Sequence, residues 1–284
     1  MTRAQQTGLR RSLLFVPGHR ADRFGKAIAS GADIVCLDLE DGVPAPDKPA
    51  ARACVLEFLA NNRPACEIAV RINALKTQTG TRDLLQLAQS GAYPDLVVLP
   101  KVESAEEVVW VSGLLGESRP APGIAPFVET LAGLSRLESL AMAAGVELLG
   151  LGTADLAADM GVAMDWEPLL LARLQLVQAA GKARVAAIDG AWLQFDDREG
   201  LVSETRRSAA LGYTGKTCVH PKQIADVHAA FAPDEGQALQ ARELIAAFEA
   251  AGSGACQFRG RMIDLPVVNS ARRQLRLWEA AQAR

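Results

Sequence analysis

This sequence predicts an α/β fold: a (β/α)8 TIM barrel carrying a C-terminal helical extension. Three observations carry that expectation. Eight short apolar runs alternate with helix-like segments, and several are continuously apolar, as parallel strands buried on both faces are. The chain has 284 residues and is 49% hydrophobic, which is enough for one barrel of about 250 residues. The polar residues that interrupt the pattern gather just after the runs, at C-terminal strand ends. The expected domains are residues 11–232 for the barrel and 233–284 for the extension. An open doubly wound sheet is the alternative, but Gly150-Leu-Gly152 runs on to Asp155 where its phosphate loop needs a third glycine.

The first unit is Ser12 to Val16, stopped by Pro17-Gly18, followed by helical periodicity from Arg20 to Ser30. Ala32 to Leu39 is the second strand and closes on Glu40-Asp41-Gly42, with a helix from about Asp47 to Ala60. Ile68 to Ile72 is the third, with Thr81 to Gln89 as its helix. Asp95 to Leu99 is the fourth, ending at Pro100-Lys101. Ser104 then stands three residues before Glu107, the spacing of a capping box. Gly123 to Val128 and Val146 to Leu151 are the fifth and sixth strands, Arg184 to Ile188 the seventh, and Thr214 to Val219 the eighth. Beyond them come a helix from about Asp234 to Ala250, a loop from Gly252 to Gly260, and a last helix beginning near Leu265. No internal repeat interrupts this order.

Composition excludes several classes. Lys plus Arg number 30 against 33 Asp plus Glu, a net charge of -3, so there is no electrostatic case for a nucleic acid or membrane partner. Cys36, Cys54, Cys66, Cys218 and Cys256 are scattered without CxxC or Cys/His spacing, which fits reduced thiols and argues against zinc. No run reaches 18 uncharged apolar residues, and the first ten residues lack a signal-peptide core. The expectation is a cytoplasmic protein with a loose tail before Arg11.

The chemistry gathers at the fifth and sixth strands, where Glu129 follows one run and Asp155 shortly follows the next. Mg²⁺ takes oxygen ligands, keeps several waters, and is often held by one or two carboxylates plus substrate oxygens. The other reading of the pair is a first-turn acid favoured by the helix dipole and a plain loop carboxylate. Glu40, Asp41, Arg71, Lys101, Glu103 and His220 also sit at strand ends, which a barrel brings to one mouth. Taken singly, Lys101, Glu103 and Asp189 read as structural salt bridges or caps. There is no GxSxG elbow, and Lys101 alone keeps a Schiff-base aldolase in view.

The segments SLLFVPGHR, DIVCLDLEDGV with KPAAR, VRIN, LPKVESAEEV, FVETLAGL, LGLGTADLAADMG, CVHPKQI and GRMIDLPVV resemble the citrate lyase beta-subunit and malyl-CoA lyase family of aldolase-type CoA-ester lyases. The likeness runs from Arg11 to Arg273 in order. It implies a barrel with a C-terminal extension, assembled as a homotrimer or hexamer. It also implies Mg²⁺-dependent, reversible cleavage of a 3-hydroxyacyl-CoA thioester to an acetyl-CoA-type thioester and a 2-oxo acid, with Mn²⁺ as a substitute metal. By this resemblance Glu129 and Asp155 are the metal ligands, with Glu40 and Asp41 behind them. Arg71 contacts the reacting oxygen, and Phe15 lies against the substrate. Lys26 stands near the CoA phosphates, Val219 and His220 along the CoA arm. By the same resemblance the C-terminal helical extension is a lid, and Asp264 on it becomes a general base reaching a neighbouring protomer. Many members carry Glu beside the metal-binding Asp; here the position is Ala154. The same site with water as nucleophile would make a malyl- or citramalyl-CoA thioesterase, and a third reading is the partner-dependent beta subunit of a citrate lyase complex.

Overall fold

The computed structural model describes residues 9–116, 121–252 and 254–282. Residues 10–227 form one compact unit and residues from His228 onward a second; the expected boundary at 232/233 lies just past the helix in which the units part.

The first unit is a closed barrel of eight parallel strands in sequence order: β1 Ser12–Pro17, β2 Ile34–Asp38, β3 Glu67–Arg71, β4 Leu96–Leu99, β5 Gly123–Val128, β6 Leu148–Leu151, β7 Ala186–Asp189 and β8 Gly215–Cys218. β8 pairs back onto β1, Thr217 opposite Leu13, so no edge is left open. The helices between them are α1 Ala21–Ile28, α2 Lys48–Asn61, α3 Gln78–Gln89, α4 Ala105–Leu115, α5 Leu131–Leu134, α6 Leu137–Ala141, α7 Thr153–Met160, α8 Trp166–Ala183 and α9 Arg198–Leu211. α10 Ile224–Phe231 follows β8.

The barrel interior is one apolar cluster that includes Leu13, Ile34, Cys36, Ala69, Leu96, Val98, Ala125, Phe127, Leu148 and Ile188. These residues fix the parity of each strand, because side chains along a strand alternate between its two faces. A residue two places beyond an interior position therefore points into the mouth. A residue one place beyond it points to the helix layer.

Local signals explain the helix starts. Thr77 accepts a hydrogen bond from Gly80 N at 3.0 Å, so α3 begins three residues before the expected Thr81. Ser104 Oγ accepts from Glu107 N at 3.4 Å. The return bond of the expected box shifts by one residue, Glu107 Oε1 accepting from Glu103 N.

In the second unit, α11 Glu235–Ala250 and α12 Leu265–Gln282 enclose a hairpin of β9 Cys256–Phe258 and β10 Arg261–Ile263. The expected loop from Gly252 to Gly260 thus contains a strand. Its two-residue turn is Arg259-Gly260, with φ of 47° and 79°, the left-handed pair that joins tight hairpins and for which glycine is suited. Phe248, Ile263 and Val268 form this unit's own core, with Leu244, Ile245, Cys256 and Phe258 against it.

Candidate active site

Parity selects the side chains at the mouth. Phe15 stands two places beyond Leu13, Asp38 beyond Cys36, Arg71 beyond Ala69, and Glu129 beyond Phe127, all four of the preceding residues being interior. Together with Asp155, Thr153, Met164, Leu193, Thr217, Val219 and others they line a cavity of about 360 Å³. Its floor is apolar and its rim is charged.

Arg71 is gripped by Asp38 through two parallel bonds, Nε to Oδ1 at 2.6 Å and Nη2 to Oδ2 at 2.7 Å. Its Nη1 lies 3.2 Å from Glu40 Oε2, and its guanidinium sits 4.3 Å from the centre of the Phe15 ring. Burial opposes the charge, but the hydrogen bond and charge of Asp38 more than offset it, so the guanidinium is held firmly protonated. Asp38 is oriented in turn by Glu40 N and Gly42 N, which donate to it at 2.9 and 2.8 Å. The fork is thereby fixed before any ligand arrives.

Glu129 is buried beneath the mouth. Burial first, and then the charge of Glu40, push its carboxyl up to about 8. Gly152 makes room for it, since a Cβ there would lie 2.3 Å from Glu129 Cγ. Asp155 stands in the first turn of α7, where the helix dipole favours an acid, and its side chain is 43% exposed.

Lys101 joins these acids. By parity it should face the helices, being three places beyond interior Val98. Its backbone is instead left-handed, φ 51°, a conformation that costs of order 1–3 kcal/mol in a non-glycine residue. The turn brings its N–H to Glu129 Oε2 at 3.1 Å and its ammonium to 2.7 Å from Glu40 Oε1, 3.4 Å from Asp41, 3.7 Å from Asp155 and 3.9 Å from Glu129. Burial works against this charge, but the bond to Glu40 and the surrounding carboxylates outweigh it and keep the amine protonated. That is the reverse of what a Schiff-base lysine requires.

A divalent cation suits this chemistry. Among the described residues, Asp38, Glu40, Asp41, Glu129 and Asp155 have Arg71 and Lys101 as their cationic partners at the rim. Glu40 Oε2, though buried, accepts no hydrogen bond. Among the described residues no three His, Cys, Asp or Glu side chains form a ready metal cage. Two carboxylates beside an open cavity leave positions for water and for substrate oxygens, as Mg²⁺ prefers.

Lys26, Glu103, Asp189 and His220 are not among the residues that line the cavity. Lys26 is in the last turn of α1 and exposed. Val219 lines the cavity, while the neighbouring His220 Nδ1 accepts from Lys222 N at 3.1 Å and its ring stacks on Phe195 at 6.0 Å. Glu103 pairs with Lys76, as its salt-bridge reading has it. Asp189 turns outward, one place beyond Ile188, to Arg173 at 3.0 Å and Lys216 at 3.2 Å. Asp264, in the second unit, accepts from Val267 N at 3.3 Å at the start of α12. Two participants were not anticipated at the mouth: Asp38 and Met164. Parity from Cys36 would have found Asp38; no local signal marks Met164.

Residues 11–221 match the family model described as HpcH/HpaI aldolase/citrate lyase. The chain is 33% identical to the L-malyl-CoA/beta-methylmalyl-CoA lyase of Rhodobacter capsulatus, over 96% of this chain and 96% of that one. It is 36% identical to the human mitochondrial citramalyl-CoA lyase, over 94% of this chain and 85% of the other. Among solved structures, CitE from Mycobacterium tuberculosis in complex with magnesium, acetoacetate and coenzyme A is similar at a TM-score of 0.85 and 34% identity, covering 96% of this chain and 99% of that one. With a family model matched over residues 11–221 and relatives at least 33% identical over most of their length, this chain belongs to the HpcH/HpaI aldolase/citrate lyase family.

Proposed function

We propose that the protein is a Mg²⁺-dependent carbon-carbon lyase that cleaves or forms a 3-hydroxyacyl-CoA thioester such as malyl-, citramalyl- or citryl-CoA, the partner product being a 2-oxo acid. The observation that carries this reading is the convergence of Glu129, Asp155 and a pre-oriented Arg71 on one cavity. The lyase names of relatives alike over almost the whole chain support it.

Glu129 and Asp155 would hold the metal, which when bound polarises and orients the oxo acid's carbonyl. Arg71 stabilises the oxygen charge that develops on the reacting carbonyl, and it suits the task because it cannot lose its proton. In the direction of bond formation, Asp264 takes a proton from the methyl carbon of the thioester. The resulting carbanion attacks the oxo carbon, and the new alkoxide is protonated. Cleavage runs the same steps backward. Phe15 and Val219 hold the acyl end and CoA arm, with His220 beside them, and Lys26 serves the CoA phosphates. Glu40 and Asp41 orient the charged rim. On this reading Asp264 acts on an adjacent protomer, so the active form is a homotrimer or hexamer. It is also a cytoplasmic enzyme, with its five cysteines as free thiols; no described helix is long and apolar enough to cross a membrane.

Purified protein with Mg²⁺, offered malyl-, citramalyl- and citryl-CoA, should release the 2-oxo acid together with acetyl-CoA. Activity should vanish with EDTA and return with Mg²⁺ or Mn²⁺. Free CoA and an intact hydroxy acid would identify a thioesterase instead. Turnover only of a thioester carried on another protein would identify a partner-dependent subunit.

A further inference from the structure

The rim holds more acid than its cations balance, and one cation is placed unusually. The parity of β4, with Val98 interior, directs Lys101 toward the helix layer. A left-handed backbone turns it into the mouth. There its ammonium lies within 4 Å of Glu40, Asp41, Glu129 and Asp155 together. Its short contact is to Glu40 Oε1, at 2.7 Å; the contacts to Glu129 and Asp155, at 3.9 and 3.7 Å, are those of a charge held between two acids without a hydrogen bond to either.

We propose that Lys101 is an exchangeable counter-cation: its ammonium neutralises Glu129 and Asp155 while the metal is absent, and withdraws onto Glu40 and Asp41 when a divalent cation enters between them. The inference rests on the reading of Glu129 and Asp155 as metal ligands. Three features support it. A metal ion and an ammonium repel, and both cannot sit within 4 Å of the same two carboxylates without a large electrostatic cost. A lysine has a flexible four-carbon stem carrying a point charge, so the head can move by small changes of rotamer while the backbone stays. The side chain already has somewhere to go, because Glu40 holds it at hydrogen-bond distance. The backbone N–H of Lys101 keeps its bond to Glu129 Oε2, so that carboxylate stays aimed at the mouth during the exchange. The residue thus positions a ligand with its main chain and competes for it with its side chain.

The test compares wild type with Lys101→Met, both stripped with EDTA, by calorimetric titration with Mg²⁺ at pH 8.5. It is joined by a crystal structure of the wild type soaked in Mg²⁺. Removing a competing charge should tighten Mg²⁺ binding by about tenfold or more. In the soaked crystal the ammonium should stay on Glu40 and leave both Glu129 and Asp155. Equal or weaker binding by the variant overturns the proposal, as does a soaked structure in which the ammonium still touches both ligands beside the ion. The crystal decides the matter if the variant does not fold. If Mg²⁺ binds neither protein, or binds away from both carboxylates, the metal reading itself falls and takes the proposal with it. Wild-type binding at Glu129 and Asp155 with no effect of Lys101 removes only the exchange.

Discussion

Arg71 and Asp38 show how far a single residue's role depends on its neighbour. The two parallel bonds between them fix a planar fork, which a lysine ammonium cannot reproduce. Arg71→Lys should therefore lower turnover of the folded protein by about 10² to 10³, the loss seen when a single oxyanion donor is removed. Near-normal turnover would count against contact with the reacting oxygen. Glu129 makes a pH prediction. Its carboxyl, pushed up to about 8 by burial and by Glu40, titrates well above the ordinary glutamate range that it has in the unfolded chain. A raised carboxyl leaves stability intact at low pH and loses it as pH rises from the unfolded value through the folded one. Metal-free wild type should accordingly lose stability between about pH 4.5 and 8, and Glu129→Gln should lose less. Melting curves of both proteins at pH 5 and pH 8.5, in EDTA, check this. A variant that loses as much stability as wild type between the two pH values would show that ionisation of Glu129 is not what destabilises the metal-free protein.

Between elements, strand parity separates structural ion pairs from functional ones. On the outer face of β7 and β8, Lys216 is fully buried and pairs with Asp189 and with Glu204 of α9, at 3.2 and 2.7 Å. Ser208 also donates to Asp189, and Arg173 of α8 completes the group. Breaking such a buried pair from one side leaves a charge uncompensated and costs about 3–5 kcal/mol. Lys216→Met should lose about that much in urea unfolding yet keep its kcat where folded, because the side chain faces away from the mouth. A fall in kcat at full folding would contradict that separation. At α12 the question is reversed. Asp264 caps this helix through Val267 N, and losing a cap costs ~1 kcal/mol; losing a general base costs about 10² to 10⁴ in turnover. Asn also caps well, so Asp264→Asn isolates the second effect: on the proposed role it melts like wild type and turns over slowly. Normal turnover would leave Asp264 as a cap alone.

For the whole molecule, the proposed oligomer makes one more prediction. If Asp264 serves a neighbour's barrel, co-refolding Asp264→Ala with Arg71→Ala protomers should restore part of the activity, since some sites then receive an intact barrel and an intact extension. Mixed oligomers as inactive as their parents, with subunit exchange verified, would end the assignment in trans. The barrel itself was legible in the chain, because burial on both faces writes each strand as a short apolar run and each helix as a separate period. Gly123 to Val128 is a strand to the residue, and the candidate metal acids Glu129 and Asp155 were legible as carboxylates after consecutive runs. The hairpin at Cys256 to Ile263 was not, since three-residue strands are too short to show a period. What the local pattern could not decide was where each polar side chain goes. Asp38 and Asp189 both end apolar strands and look alike in sequence, yet one grips Arg71 in the mouth and the other is buried with Lys216 outside the barrel. One place of parity separates them, and it is set by which residues of each strand fill the interior. Lys101 needed more still: a left-handed backbone, and an acid 61 residues earlier in the chain to receive its charge. Burial periodicity is a property of neighbours in sequence and fixed the elements. The electrostatics of the mouth is a property of neighbours in space, and closure of the barrel brought those together.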